Sequence, residues 1–141
     1  MKKKILFICT HNKARSQMAE GYLRARYGDR YEPFSGGTEP GPLDPMAVEV
    51  MKEIGIDISG QKSKNLSEFN GVEMDVAVAV CDSARAACPF FPWANENIHA
   101  EFPDPTGTKG TPEERVAAFR EVRDRITSWI DGYFGDAGKM K

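Results

Sequence analysis

The sequence has no excess of charge of either sign and no long hydrophobic run. Its 141 residues carry 19 Lys and Arg against 21 Asp and Glu, a net charge of −2, and the basic residues are spread along the chain. Nucleic acid and anionic membranes bind basic patches, so this balance excludes both as partners. No apolar stretch approaches the roughly 20 residues that a membrane-spanning helix requires.

Cysteine is also scarce, with three in the sequence. After Met1-Lys2-Lys3-Lys4, the apolar run at 5–9 is too short for the hydrophobic part of a signal peptide, so we expect a cytoplasmic protein. Thiols stay reduced there, and an odd number of cysteines indicates chemistry or buried packing more than a disulfide framework. The length suits a single domain over residues 1–141.

Strand-like and helix-like segments alternate along the chain. Apolar or β-branched runs predict strands at 5–9, 31–35, 74–80 and 97–102. Apolar residues at helical spacing predict helices at 17–27, 45–54 and 112–133. Such alternation produces parallel sheets through right-handed crossovers. We therefore predict an α/β fold with a doubly wound, four-stranded parallel sheet and helices on both faces.

Local signals mark the ends of the predicted helices. Ser16 is the N-cap candidate of the first helix, and Gly28 is the candidate for its C′ residue. Asp44-Pro45 begins the second helix and Gly55 ends it. Thr111-Pro112-Glu113-Glu114 forms a capping box before the third helix. That helix presents an apolar face to the core, made of Val116, Phe119, Val122, Ile126, Trp129, Ile130 and Tyr133.

Cys9 lies where the first predicted strand passes into a helix, and Arg15 follows after five residues. The N–H groups of such a loop and the helix N-terminus bind anions, and an arginine can hold two oxygens of a tetrahedral oxyanion. The same field favours the thiolate of Cys9, which makes it a candidate nucleophile. The alternative is a small buried hydrophobe, but the strand-to-helix context favours catalysis.

The residues around this loop have separate predicted roles. Ser16 can donate a hydrogen bond to the thiolate, and Asn12 tolerates the left-handed backbone of an anion-binding loop, although an ordinary turn residue explains it equally well. The predicted oxyanion-binding and loop-shaping set is Thr10, His11, Asn12, Lys13, Ala14, Arg15 and Ser16.

Asp104 is the candidate general acid. It lies on the proline-rich segment Phe102-Pro103-Asp104-Pro105, where the following proline favours an extended backbone. When a sulfur attacks an oxyanion, the departing oxygen needs a proton, and a positioned carboxylic acid adds about 10² to 10⁴ in rate. Turn statistics alone favour an ordinary turn aspartate.

Cys81 and Cys88 permit two interpretations. In a helix their sulfurs would be separated by about 10.5 Å along the axis, too far for a disulfide unless the segment unwinds. Neighbouring strands lie about 4.8 Å apart, so Cys81 can approach Cys9 if their strands are adjacent. A thiol relay from Cys9 to Cys81 to Cys88 is then geometrically feasible. The alternative is a pair of core cysteines.

The remaining candidates are weaker. The segment Pro89-Phe90-Phe91-Pro92-Trp93 can form an apolar docking face for a partner protein, or its aromatic rings can pack under a loop. His11, His99 and the scattered cysteines match no zinc-binding pattern, so we expect no metal and no other cofactor.

At these residues the chain resembles the thioredoxin-coupled arsenate reductases, which share the fold of the low-molecular-weight protein tyrosine phosphatases. The resemblance runs from Lys4 to the last helix. It rests on Cys9-x5-Arg15-Ser16-Gln17-Met18-Ala19-Glu20, on Cys81 and Cys88 with six residues between them, and on Asp104-Pro105.

The resemblance implies a mechanism. Cys9 attacks arsenate to give a covalent adduct, and Cys81 attacks Cys9, which releases arsenite and leaves a Cys9–Cys81 disulfide. Cys88 then attacks Cys81, and thioredoxin reduces the Cys81–Cys88 bond. Arg15 binds the oxyanion, Ser16 and Asn12 support the thiolate and the loop, and Asp104 protonates the leaving oxygen.

Two departures from the family pattern stand out. His11, Lys13 and Ala14 replace the smaller or cysteine-containing choices of the loop. Some members bind potassium through carboxylates that include the counterpart of Glu20. Here Lys64 stands where an acidic ligand is expected, and its ammonium can replace that ion, so we expect no potassium dependence.

Two other functions remain open at the sequence level. A phosphatase of the same fold would need Cys9 and Asp104 alone, because arsenate and phosphate differ little in shape and charge. A non-catalytic oxyanion-binding regulator would use Cys9 as a sensor and would release neither arsenite nor phosphate.

Overall fold

A four-stranded, wholly parallel sheet forms the centre of the computed structural model, which describes residues 2–80 and 90–135. The strands are β1 (Lys3–Cys9), β2 (Tyr31–Gly37), β3 (Met74–Ala79) and β4 (Ala94–His99). The α-helices are α1 (Arg15–Tyr27), α2 (Pro45–Glu53) and α3 (Pro112–Ile130). Short 3₁₀ helices occupy Leu66–Phe69 and Pro105–Gly107, and a π-helical turn follows α3 at Asp131–Gly135.

The strand order is β2-β1-β3-β4. β1 therefore pairs with β2 on one side and β3 on the other, with Cys9 opposite Gly37 and Ile8 opposite Ala79. The connection after β1 leads to one side of the sheet and the connection after β2 crosses back to the other, so the strand order switches between β1 and β3. In α/β sheets, ligands bind at the carboxyl ends of the strands at such a switch. The predicted doubly wound parallel fold is confirmed.

The two faces of the sheet are covered unequally. Ile5, Phe7 and Cys9 point into a core shared with all three α-helices. Leu6 and Ile8 point to the opposite face, as the two-residue period of a strand requires. In the described ranges, the helical cover of that second face is the 3₁₀ helix Leu66–Phe69, whose Phe69 packs in the same cluster.

The start signals of α2 and α3 are confirmed. The carboxylate of Asp44 accepts a hydrogen bond from the backbone N–H of Met46 at 2.9 Å. At α3, the Thr111 hydroxyl accepts from Glu114 N at 3.2 Å, and the Glu114 carboxylate accepts from Thr111 N at 2.9 Å. Gly55 follows α2 with a φ of 82°, the left-handed conformation that glycine adopts without strain.

The predicted end of α1 at residue 27 is confirmed, but its predicted start and the cap roles of Ser16 and Gly28 are wrong. The helix begins at Arg15, and Ala14 stands at the N-cap without a side-chain hydrogen bond, so Ser16 lies inside the first turn. Gly28 ends the helix with a right-handed φ of −64° rather than a left-handed one. A side chain at Gly28 would place its Cβ 2.4 Å from the carbonyl oxygen of Arg24, so the glycine is required for space.

The predicted position of β4 is also wrong by three residues, since the strand covers Ala94–His99 instead of 97–102. β4 is an edge strand whose residues are mostly exposed, so hydrophobicity does not mark it. Ala100 and Phe102 are buried, but they pack after the strand has ended. Along the described ranges, no helix combines the length and the hydropathy needed to cross a membrane.

Candidate active site

The residues predicted to act together meet at the carboxyl ends of the strands. Cys9 ends β1, Arg15 begins α1, and Asp104 lies on the loop that follows β4. A single pocket brings them together, lined by Cys9, His11, Lys13, Ala14, Arg15, Asp104 and Thr106.

The loop at 10–14 turns its backbone carbonyls away from this pocket. Each carbonyl accepts a hydrogen bond from outside the pocket: Thr10 from Glu39 N, His11 from Gly41 N, Asn12 from the Gln17 side chain, Lys13 from Asp44 N and Ala14 from Met18 N. The described peptide bonds are all trans, so the N–H of each following residue points the opposite way. The N–H groups of residues 11–15 therefore face the pocket and can bind an anion.

Asn12 fixes the shape of the loop. It is fully buried and adopts a left-handed φ of 50°. Its Oδ1 accepts hydrogen bonds from Lys64 N at 2.8 Å and from Gln17 Nε2 at 3.0 Å. Because the Lys64 N–H is an obligate donor, this contact identifies the Asn12 oxygen, and Nδ2 must point to Ser16 Oγ, 2.7 Å away.

The orientation of Asn12 determines how Ser16 contacts the thiol. Since Asn12 Nδ2 donates to Ser16 Oγ, the Ser16 hydroxyl hydrogen is free to donate to Cys9 Sγ at 2.8 Å. The backbone N–H of Asn12 also donates to Cys9 Sγ at 3.2 Å. Two donors at one sulfur stabilise a thiolate more than a thiol. Cys9 is 2% exposed, and it lines the pocket.

The guanidinium of Arg15 is held in place before any ligand binds. Its Nη1 donates to the carbonyl oxygens of Phe102 at 3.0 Å and Val80 at 3.3 Å. Its Nη2 lies 3.7 Å from Asp104 Oδ2. Arg15 is 6% exposed, so little conformational entropy is left to lose when it binds an oxyanion.

Thr106 holds the carboxyl group of Asp104. Asp104 Oδ1 accepts from Thr106 N at 3.0 Å and from Thr106 Oγ1 at 2.6 Å. Partial burial acts to raise the pKa of the Asp104 carboxyl, but the Thr106 hydrogen bonds and the charges of Arg15 and Lys13 outweigh burial and lower this pKa. These contacts therefore favour the carboxylate form of Asp104, and an oxyanion that neutralises Arg15 favours its protonation.

The buried carboxylate of Glu20 and the partly exposed ammonium of Lys64 form an ion pair behind the loop. The Glu20 carboxylate accepts hydrogen bonds from the Ser35 hydroxyl and from Arg24 Nη2, the latter at 2.5 Å, and lies 3.7 Å from Lys64 Nζ. The ammonium of Lys64 therefore lies beside the Glu20 carboxylate. Within residues 2–80 and 90–135, no group of three or more His, Cys, Asp or Glu side chains is arranged to hold a metal ion.

The predicted relay residues Cys81 and Cys88 lie outside the described residues, as does Pro89 of the predicted docking face. An approach of Cys81 to Cys9 required that the strands before them be adjacent. This condition is met, because β1 pairs with β3 and Val80 N donates to Ile8 O at 2.8 Å. Of the aromatic residues that follow, Phe90 is 71% exposed and Trp93 is 40% exposed, whereas Phe91 is buried.

Gln17 and Thr106 had no role assigned from the sequence, and the backbone contact of Lys64 with Asn12 was not predicted. Gln17 is fully buried and links Asn12 to Lys62 O. Thr106 anchors the candidate acid, and the backbone of Lys64 anchors Asn12. For Gln17 the available sequence signal was its place inside the quoted motif, and for Thr106 it was the Asp-Pro turn two residues earlier. The contact of Lys64 with Asn12 depends on the tertiary fold.

Comparison with known proteins agrees with this geometry. Residues 4–140 match the family model described as low molecular weight phosphotyrosine protein phosphatase. A curated arsenate reductase of Halalkalibacterium halodurans is 44% identical over 138 residues, which covers 98% of this chain and 99% of that protein.

Solved structures give the same result. An arsenate reductase in the phosphate binding state has a TM-score of 0.81 at 30% identity, covering 95% of this chain and 98% of that one. An arsenate reductase in the oxidized state has a TM-score of 0.78, also at 30% identity, with coverage of 95% and 98%. A thioredoxin-dependent arsenate reductase of Corynebacterium glutamicum shares the fold, with a TM-score of 0.73 at 23% identity, and this chain spans 63% of its length.

Proposed function

The chain belongs to the low molecular weight phosphotyrosine protein phosphatase family, and from this membership we propose that it is an arsenate reductase that uses Cys9 as its nucleophile. The observation that carries the proposal is a thiol with two hydrogen-bond donors, Ser16 and Asn12, at the base of a pocket that contains Arg15. The arsenate reductases among its relatives, at up to 44% identity over nearly the full chain, favour arsenate as the oxyanion.

In the first step the Cys9 thiolate attacks the arsenic atom of arsenate. The bond from arsenic to its hydroxyl oxygen breaks, and Asp104 donates one proton so that this hydroxyl leaves as water. The inward N–H groups of the loop and the Arg15 guanidinium bind the remaining oxygens, where negative charge is concentrated. Charge neutralisation by the oxyanion favours the protonated form of Asp104 that this step requires.

In the second step we propose that Cys81 attacks the sulfur of Cys9. The electron pair of the S–As bond passes to arsenic, which is reduced from As(V) to As(III) and leaves as arsenite, while the two thiols are oxidised to a disulfide. The pairing of β1 with β3 supports this step, since Cys9 and Cys81 directly follow the neighbouring residues Ile8 and Val80. Strands about 4.8 Å apart lie within the 4.4–6.8 Å Cα range of disulfides.

In the last step Cys88 attacks Cys81, which frees Cys9 for another cycle and leaves a Cys81–Cys88 disulfide. A dithiol protein reduces that bond, and thioredoxin is our proposed reductant. A fold-level relative that is thioredoxin-dependent supports this choice. Such a cycle needs the reduced thiols of the cytoplasm, which is the compartment we propose.

The test is steady-state arsenate reduction with thioredoxin, thioredoxin reductase and NADPH. The parent protein should turn over repeatedly, whereas Cys88→Ser should release at most one equivalent of arsenite per protein, because Cys9 stays trapped in a disulfide. Cys81→Ser is the matched control one step earlier and should release none. Repeated turnover by Cys88→Ser would refute the relay.

The family name supports tyrosine phosphatase activity as the second candidate, since the pocket binds a tetrahedral oxyanion without a contact that distinguishes phosphorus from arsenic. A phosphatase needs neither Cys81 nor Cys88. Sustained hydrolysis of an aryl phosphate by a Cys81→Ser/Cys88→Ser double variant, together with no arsenite release by the parent, would establish this function instead.

A further inference from the structure

The charged groups of the oxyanion pocket nearly cancel. Asp104 lies 3.7 Å from Arg15 and offsets its charge. A Cys9 thiolate adds a second negative charge, so these three residues alone sum to −1 and would repel an oxyanion. Among the described residues that line the pocket, the remaining cation is Lys13, which brings their sum back to zero.

The ammonium of Lys13 is available for a ligand. Among the ion pairs of the described residues, none involves Lys13. Lys13 lines the same pocket as Arg15 and Asp104, and its charge contributes to the lowered pKa of Asp104. Arg15, by contrast, is already engaged with two carbonyl oxygens and Asp104.

The stem of Lys13 is also held in position. Its carbonyl accepts a hydrogen bond from Asp44 N at 3.0 Å. Its Cγ and Cδ pass close to Gly41, where an added Cβ would lie 3.0 Å from Lys13 Cδ. Gly41 N in turn donates to His11 O at 2.9 Å, so the segment that borders the Lys13 stem is attached to the oxyanion loop itself.

We propose that Lys13 is a specificity-determining residue that selects doubly charged tetrahedral oxyanions over singly charged ones. The inference rests on the proposed function for the place where the oxyanion binds. Coulomb energy scales with the charge of the ligand. Removal of one fixed cation therefore costs a dianion twice as much binding free energy as it costs a monoanion of the same shape. If a monoanion loses a factor f in affinity, a dianion loses f².

The experiment measures protection of Cys9 from alkylation by iodoacetamide, read at the Cys9 peptide by mass spectrometry, with perchlorate and sulfate as tetrahedral probes of charge −1 and −2. It needs no arsenate turnover, so it remains informative if the proposed reductase activity is wrong. For Lys13→Met, the half-protecting concentration should rise about 5-fold for perchlorate and about 25-fold for sulfate, as expected for unit charges about 4 Å apart in a water-like dielectric.

Two control variants complete the design. Lys13→Arg keeps the charge and should restore both concentrations to within about 2-fold of the parent, a charge effect that a purely structural role would not reproduce. Lys52→Met removes an exposed lysine of α2 and should change neither. The proposal would be overturned if Lys13→Met raised the half-protecting concentrations of perchlorate and sulfate by the same factor, or raised neither.

Discussion

At the scale of single residues, the orientation of Asn12 decides the chemistry available to Cys9. The Lys64 N–H and the Gln17 side chain fix the Asn12 oxygen, so its amide nitrogen donates to Ser16 and leaves the Ser16 hydrogen for the thiolate. The sequence suggested two roles for Ser16, helix cap and thiolate partner. The structure supports the contact with Cys9, whereas Ser16 does not cap the helix because it lies inside the first turn.

Ser16→Ala should lower the reactivity of Cys9. The substitution removes one hydrogen bond to the thiolate, worth about 1.5–3 kcal/mol for a charged partner, and so predicts a rate of Cys9 alkylation at pH 7 lowered by about 10- to 100-fold. Alkylation followed by peptide mass spectrometry measures this rate. Ser67→Ala, in the 3₁₀ helix of the opposite face, is the matched control and should react as the parent does. An unchanged rate in Ser16→Ala would contradict the role of Ser16.

At the scale of elements, a cluster of charged side chains joins α2 to α3. Arg123 is mostly buried and donates to Val50 O and to Glu53 Oε1, both at 2.8 Å. Arg120 donates to the other oxygen of Glu53 at 2.6 Å. The hydrogen bond from Arg120, followed by that from Arg123, lowers the pKa of Glu53 to about 2.

Glu53→Gln should destabilise the protein in a pH-dependent way. The folded-state pKa lies below the unfolded value, so the stabilisation by Glu53 is fully present above about pH 5 and disappears as pH falls towards 2. Urea unfolding at several pH values should give a loss of about 1–2 kcal/mol at pH 7 and little difference from the parent at pH 2. Glu121→Gln, which removes an exposed i,i+4 pair with Arg125, should cost less than about 0.5 kcal/mol. A pH-independent loss in Glu53→Gln would contradict the ion-pair origin.

Prediction from sequence succeeded for elements whose signals are local. Asp44-Pro45 and Thr111-Pro112 begin α2 and α3 because capping contacts span two or three residues and need no distant partner. Prediction failed at the start of α1 and at β4. At α1 the first turn serves the pocket instead of a cap, and at β4 an exposed edge position removes the hydrophobic signal.

At the scale of the whole molecule, the strand order β2-β1-β3-β4 assembles the pocket from segments far apart in the chain. Arg15 bonds to the carbonyl after β3 and to Phe102 on the loop after β4, so the site exists only when the sheet is complete. A ligand that binds this site binds the folded state and not the unfolded chain, and therefore stabilises the entire fold.

Phosphate should raise the melting temperature of the protein. At roughly ten times its dissociation constant, phosphate should add about 1.4 kcal/mol of stability, which corresponds to about 5 °C for a chain of this size. Differential scanning calorimetry over a phosphate series measures the shift. Arg15→Lys loses the paired donors of the guanidinium, so the same phosphate concentration should raise the melting temperature of this variant by less than about 1 °C. A full shift in that variant would place the phosphate elsewhere.

The sequence by itself determined the alternation of elements, the parallel sheet, and Cys9 and Arg15 as a strand-to-helix pair, because these depend on local periodicity and on residue types close together in the chain. The tertiary structure alone decided that Arg15 bonds to the carbonyls of Val80 and Phe102, that Lys64 orients Asn12, and that β1 and β3 are neighbours. Those contacts join residues brought together by the sheet order, and a hydrogen bond a few ångströms long has no signature in a sequence where its partners are 52 to 87 positions apart.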